Sequence, residues 1–300
     1  MKNIEILICQ NYLPFTTYLT IVHNLLVAND YNVSIINNIN DHKNDVDYLI
    51  LFLNYYKNIY NKLLGNTKII FIHADYLLCH SNEDQINMKN YINNINPDNT
   101  YIWEYNPLNC DYYEKNFTNK KIFFIPFEYS FYLENMYKSN KISYDKKDID
   151  ILFLGSLNQR RQLIIDQLQK KYKVCVYNNI NDINEYCNII ERSKIVLNIY
   201  SKEINRPFDY YRLALLYSNK IFAISEKPEH LNLKYQNNLT EVLNSSININ
   251  YDNIVHKIDE YLKMESSEIN KIVESTYESF TKCNMDLNII NFFNKIDLKE

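Results

Sequence analysis

An α/β fold of two doubly wound parallel sheets is the fold class the sequence predicts, and three observations predict it. Short β-branched apolar runs alternate with stretches of helical periodicity through most of the 300 residues. Those runs are apolar nearly throughout rather than at every second position, as expected of strands covered on both faces. The alternation stops at a charged break, Tyr144 to Asp148, and then restarts. The domain boundary is therefore expected near residue 145, with one unit over 1–145 and a second over 146–300.

The strand candidates of the first series are Ile4–Cys9, Val33–Ile36, Tyr48–Leu53, Lys68–His73, Tyr101–Tyr105 and Ile122–Pro126. Those of the second are Ile149–Leu154, Lys173–Tyr177, Lys194–Tyr200 and Lys220–Ser225. Helices show best in the second half, where Ile183, Tyr186, Cys187 and Ile190 recur at i, i+3, i+4 and i+7. Asp182 followed by Glu185 resembles a capping box at that helix start. Ile164, Leu168 and Tyr172 mark the preceding helix. Ile254, Ile258, Tyr261 and Leu262, then Ile269, Ile272, Val273 and Phe280, mark two more. This helical tail, from about residue 251, is read without strands, and its last helix is expected to pack on the first unit.

Composition removes several classes. With 46% hydrophobic and 23% charged residues, the chain can bury a full core. Two glycines and six prolines exclude collagen-like and linker-like sequences. A formal charge of −4 and a pI near 5.9 lack the basic footprint of a nucleic-acid binder. Six cysteines without C-x-x-C spacing predict neither a zinc site nor a disulfide framework. Met1 to Gln10 carries Glu5 and lacks the features of a signal peptide, and no apolar run reaches the roughly 18 residues of a membrane span. A cytoplasmic chain is the expectation.

In open α/β sheets ligands collect at the carboxyl ends of strands, beside the helix N-termini that follow. Gly155 stands at such a place, and the segment from Gly155 to Arg161 leads from strand into helix. A lone glycine there is satisfied by a plain turn. The arginines change the weighting. All five (Arg160, Arg161, Arg192, Arg206 and Arg212) fall between residues 160 and 212, in a chain that otherwise uses lysine. A planar, bidentate task such as phosphate recognition explains that choice. Arg192, near a helix end, reads as a solvated salt bridge. Pro207 suits a first helical turn. Asp209 and Arg212, at i and i+3, either pair with each other or receive ribose hydroxyls and phosphate.

These residues carry a resemblance. The run Asp150 to Arg161, then Lys194 to Ile199, Phe208-Asp209-Tyr210-Tyr211-Arg212 and Ala223-Ile224-Ser225-Glu226 resembles the donor-binding half of GT-B glycosyltransferases. The similarity is to small bacterial polysaccharide-type enzymes of the family-1 and family-4 kind. Trp103 to Asn109 and Ile125 to Tyr129 extend it, more loosely, over roughly residues 68–226. Asp209 stands where that pattern has Glu, Glu128 where it has Gly, and Ala214 near the second position of a paired-glutamate motif, so no retaining mechanism is implied.

The resemblance implies two Rossmann-like domains facing a cleft. It also implies a nucleotide-diphosphate sugar, UDP- or GDP-linked, held by Gly155, Ser156, Asn158, Arg160, Arg161, Asn198, Phe208, Asp209, Arg212 and Glu226. The acceptor would be a hydroxyl of a glycan or glycoconjugate. On the first unit, His73 and Asp75 follow a strand end and are candidates for activating that hydroxyl, with a structural histidine as the plainer alternative. The two D-x-D runs, Asp45-Val46-Asp47 and Asp148-Ile149-Asp150, precede strands and read as solvated strand starts, so no metal is expected. A catalytically silent nucleotide-sugar binder of the same fold is the alternative. A nicotinamide-dependent dehydrogenase lacks the G-x-G-x-x-G loop it would need.

Overall fold

The computed structural model describes residues 1–8, 13–43, 45–52, 67–73, 90, 99–116, 121–136, 142–178, 180, 182–204, 206–229, 234–236 and 238–297. The chain divides into two compact units, one of residues 1–127 with 285–300 and one of residues 128–284. Each is built on a parallel sheet. No helix among the described residues is long and apolar enough to cross a membrane.

The first unit carries β1 (Asn3–Leu7), β2 (Asn32–Ile36), β3 (Tyr48–Phe52), β4 (Lys68–His73), β5 (Thr100–Glu104) and β6 (Lys121–Phe124). They pair in parallel in the order β2-β1-β3-β4-β5-β6. Every residue of β3 and of β5 is buried, which is why β3 is apolar throughout and β5 is apolar over Tyr101–Trp103. The helices α1 (Leu13–Ala28) and α2 (Pro107–Asn116) belong to this unit, and Tyr113 of α2 joins Leu49, Leu51, Phe71 and Ile102 in its core.

The second unit runs through α3 (Phe131–Met136), β7 (Ile149–Leu154), α4 (Gln159–Gln169), β8 (Val174–Tyr177), α5 (Ile183–Glu191) and β9 (Ser193–Asn198). It continues with α6 (Tyr210–Ser218), β10 (Ala223–Glu226), α7 (Leu239–Ser245), β11 (Ile247–Ile249), α8 (Ile254–Tyr261) and α9 (Ser266–Phe280). Its sheet order is β11-β10-β9-β7-β8, all parallel. Ile151, Phe153, Ile164, Leu168, Ile195, Leu197, Ile254, Ile258 and Ile269 share one core, which is the burial the helical periodicities predict. Strand order reverses between β7 and β9. In open α/β sheets such a reversal is where ligands bind, outside the carboxyl ends of the strands.

The last helix, α10 (Met285–Asp297), returns to the first unit. Phe292 meets Phe123 edge-on at 4.8 Å and Trp103 at 5.0 Å between ring centroids. Asp297 accepts hydrogen bonds from Lys2 Nζ at 2.7 Å and from the hydroxyls of Tyr48 at 2.6 Å and Tyr31 at 3.1 Å. Burial and the neighbouring carboxylate push the Tyr31 hydroxyl up to about 12, and that of Tyr48 further.

Some elements differ from their sequence reading. Residues 128–145 group with the second unit, because Tyr129 pairs with Asn284 and Tyr277 donates to Glu134. The short strand β11, Ile247–Ile249, lies before the helices read as strandless. Lys220, read as a strand start, has φ +56 in the turn preceding β10. Pro207 lies ahead of its helix, whose N-cap is Asp209.

Candidate functional site

The site is built where β7 ends. Gly155 N donates to Tyr177 O at 2.8 Å, holding the chain to β8 for one further residue. Its φ of +137 is one that L side chains rarely adopt, which accounts for one of the two glycines in the chain. Three residues on, Asn158 caps α4: its Oδ1 accepts the Arg161 N–H at 3.0 Å. Its Nδ2 donates to Ser201 O at 2.6 Å.

Four side chains grip four successive residues at the end of β9. Arg212 Nη1 donates to Asn198 Oδ1 at 2.8 Å, and Arg161 Nε to Ile199 O at 3.0 Å. Arg160 Nη1 donates to Tyr200 O at 2.8 Å, and Asn158 completes the series at Ser201. The carbonyls of Ile199, Tyr200 and Ser201 lie beyond the last residue of β9, so these side chains supply donors to backbone that has left the sheet, and the arginine planes are fixed in turn. Asn198, fully buried, donates in turn to Ser225 Oγ at 3.1 Å.

Arg161 and Arg212 converge on Gly155. A Cβ at residue 155 would lie 2.9 Å from Arg212 Nη2 and 3.8 Å from Arg161 Nη1. Arg161 also donates Nη1 to Ser156 O at 2.8 Å, and Arg212 Nη1 reaches Asp209 Oδ2 at 3.1 Å. The Nη2 groups of both hold no hydrogen bond among the described residues. Burial first, and then the charge of Arg212, bring the Arg161 guanidinium down to about 10. Two like charges with free donors, one of them desolvated, form a site that an anion stabilises.

Beside them Glu226, 1% exposed at the end of β10, takes both Nη groups of Arg160, with Nη1 at 2.8 Å, and the Tyr200 N–H at 3.0 Å. Arg206 stands 3.4 Å from the same carboxylate. Tyr251 stacks its ring 3.8 Å from Arg160 Cζ and donates its hydroxyl to Arg160 O at 2.6 Å. Asp209 caps α6 through the Arg212 N–H at 3.3 Å, so both readings of the Asp209–Arg212 pair meet in one place. Phe208 is 1% exposed and packs edge-on against Tyr210, inside the core. Of the residues read from the sequence, Gly155, Ser156, Asn158, Arg160, Arg161, Asn198, Asp209, Arg212 and Glu226 are brought together. Ser225, which the Ala223–Glu226 run contains, joins them through Asn198, and Tyr251 is an addition that no motif marked.

In the first unit, His73 and Glu104 are register neighbours on β4 and β5, both wholly buried. His73 Nδ1 lies 2.5 Å from Glu104 Oε2 and 3.0 Å from the Tyr113 hydroxyl, while Asn109 Nδ2 donates to Glu104 Oε2 at 3.2 Å. Burial raises the Glu104 carboxyl against the opposing pull of His73. His73 Nε2 is buried without a hydrogen-bond partner among the described residues. Asp75 lies outside the described residues. The D-x-D acids stand at strand starts: Asp148 takes Arg192 and Lys173, Asp150 takes Lys194, and Asp47 accepts the Asn3 N–H.

The two parallel sheets with their covering helices are the GT-B fold. An alpha-glucosyltransferase in complex with UDP matches over 99% of both chains, at 11% identity and a TM-score of 0.69. Anabaena HepE in complex with UDP and glucose matches over 99% of this chain and 100% of its own, at 8% identity and a TM-score of 0.67. T4 phage BGT in complex with UDP and Mn2+ matches over 98% and 99%, at 12% identity and a TM-score of 0.58. No protein-family model and no curated protein matches the sequence.

Proposed function

We propose that the chain is a glycosyltransferase that moves a sugar from a nucleotide-diphosphate sugar, UDP- or GDP-linked, to a hydroxyl of a glycan or glycoconjugate. The observation that carries this reading is the convergence of Arg161 and Arg212 on Gly155 with Nη2 groups that hold no hydrogen bond among the described residues. Arg160, Arg161, Arg206 and Arg212, set against Asp209 and Glu226, leave a surplus of two positive charges among the buried and half-buried groups there. A diphosphate diester carries two negative charges. The first turn of α4 adds backbone N–H groups and the positive end of a helix dipole.

In the reaction, the acceptor oxygen bonds to the anomeric carbon as the bond from that carbon to the diphosphate breaks, and the acceptor's proton passes to a base. Arg161 and Arg212 stabilise the charge that gathers on the departing diphosphate. The carboxylates nearest them are committed to arginines, which supports departure without a metal. His73, with Nδ1 on Glu104, is the proposed base of the first unit, with Asp75 as its proposed companion. UDP in the similar structures supports the donor class. The alternative, a silent binder, is favoured by one observation: Asp209 spends its carboxylate on the helix cap and on Arg212.

A thermal-shift series against UDP-, GDP-, ADP- and CMP-sugars, followed by assay of nucleotide release with and without EDTA, tests the reading. Stabilisation by a diphosphate sugar with EDTA-resistant release supports it. Stabilisation without release supports the silent binder. Release abolished by EDTA and restored by manganese overturns the metal-free step.

A further inference from the structure

Arg160 is the arginine that sequence reasoning places on phosphate beside Arg161, yet its bonding is unlike that of its neighbour. Both of its Nη groups face Glu226, Nη1 also holds Tyr200 O, and its face is covered by Tyr251. Its Nε is buried without a partner among the described residues. Glu226, 1% exposed, also takes the Tyr200 N–H. The ion pair therefore binds Tyr200 at both its N–H and its C=O, from β10 on one side and from α4 on the other. Tyr200 adjoins Ile199, whose carbonyl holds Arg161, and Ile199 adjoins Asn198, whose side chain holds Arg212.

We propose that Glu226 and Arg160 are a positioning pair: they hold residues 198–200 so that Arg161 and Arg212 meet at the spacing a diphosphate needs, and neither touches the nucleotide. The inference rests on the donor-site reading above. Its physical basis is the asymmetry of a buried ion pair. Removing Glu226 leaves the Arg160 charge without its carboxylate, and removing Arg160 leaves Glu226 with Arg206 alone, at 3.4 Å, and takes the guanidinium donor from Tyr200 O; either change lets residues 198–200 shift. The double neutral variant restores a satisfiable pair, because two amides can hydrogen-bond each other and the Tyr200 backbone.

A double-mutant cycle with UDP as the probe tests this, using Glu226→Gln, Arg160→Gln and the two combined in the full chain. Each single change should weaken UDP binding about tenfold or more, and the double variant no more than either single. Cooperative thermal unfolding of each variant reports that it folds. Where a single variant does not, the double variant beside wild type still decides: the positioning role predicts UDP affinity within a few-fold of the other single variant or of wild type. Losses that multiply across the cycle would show that Arg160 grips phosphate on its own and would overturn the inference, with the donor site intact. Tighter UDP binding in Glu226→Gln would overturn it as well. If folded wild type binds none of UDP, GDP and ADP, the donor-site reading itself falls and takes the positioning role with it.

Discussion

Arg161 and Arg212 bring two guanidinium groups to one glycine, and an added Cβ at Gly155 would stand 2.9 Å from the Nη2 of Arg212. One partner comes from the first turn of the helix after β7 and the other from the first turn of the helix after β9. The reversal of strand order between those two strands is what lets both turns face the same point. From this contact the donor side of the proposed reaction follows.

Gly155→Ala strains a backbone at φ +137 and presses on Arg212. The variant should lose about 1–2 kcal/mol of stability and, because Arg212 must move, bind UDP about tenfold more weakly. Denaturant unfolding and calorimetric titration measure the two effects. An alanine variant with wild-type affinity would remove Gly155 from the site.

A pH series gives a second check with a definite sign. Arg161 sits at about 10, and only its charged form grips an anion, so UDP affinity should fall as pH rises through that value. Arg212→Gln removes the like charge that holds Arg161 down, after burial, and should move the fall to higher pH. Titration of UDP itself is common to both proteins and cancels in the comparison. Coincident profiles would contradict the coupling of the two arginines.

Much of the fold was legible because strands buried on both faces leave continuous apolar runs, as in Tyr48–Phe52 of β3 and Ile151–Leu154 of β7. The short strand β11 was not, since Ile-Asn-Ile carries too little pattern to separate from a loop. Gly155 and the arginines stood out as scarce residues in a lysine-rich chain. Their bonding did not, because the acceptors are carbonyls of Ile199 and Tyr200, and a carbonyl has no sequence signal. Glu104 was missed for a related reason: it meets His73 only through the register of β4 on β5.

On the acceptor side, His73→Ala and Glu104→Gln should each lower turnover, His73→Ala by roughly 10²–10⁴-fold, with UDP affinity nearly unchanged. Lost UDP affinity with normal turnover at saturation would place them on the donor instead. Unchanged values for both quantities would leave the buried pair a purely structural one. Asp75→Asn belongs in the same series.

Asp297→Asn removes the carboxylate that Lys2, Tyr31 and Tyr48 share. Hydrogen exchange should show a loss of about 1–3 kcal/mol of protection in β1 and β3 as well as in α10. A loss confined to α10 would show that the helix adds nothing to that sheet.

The most direct test of the donor site is calorimetric titration of UDP into wild type and into Arg161→Gln/Arg212→Gln. Each charge-assisted contact removed should cost about 1.5–3 kcal/mol, so the double variant should bind at least about a hundredfold more weakly while unfolding as cooperatively as wild type. A folded double variant that binds UDP as wild type does would contradict the account.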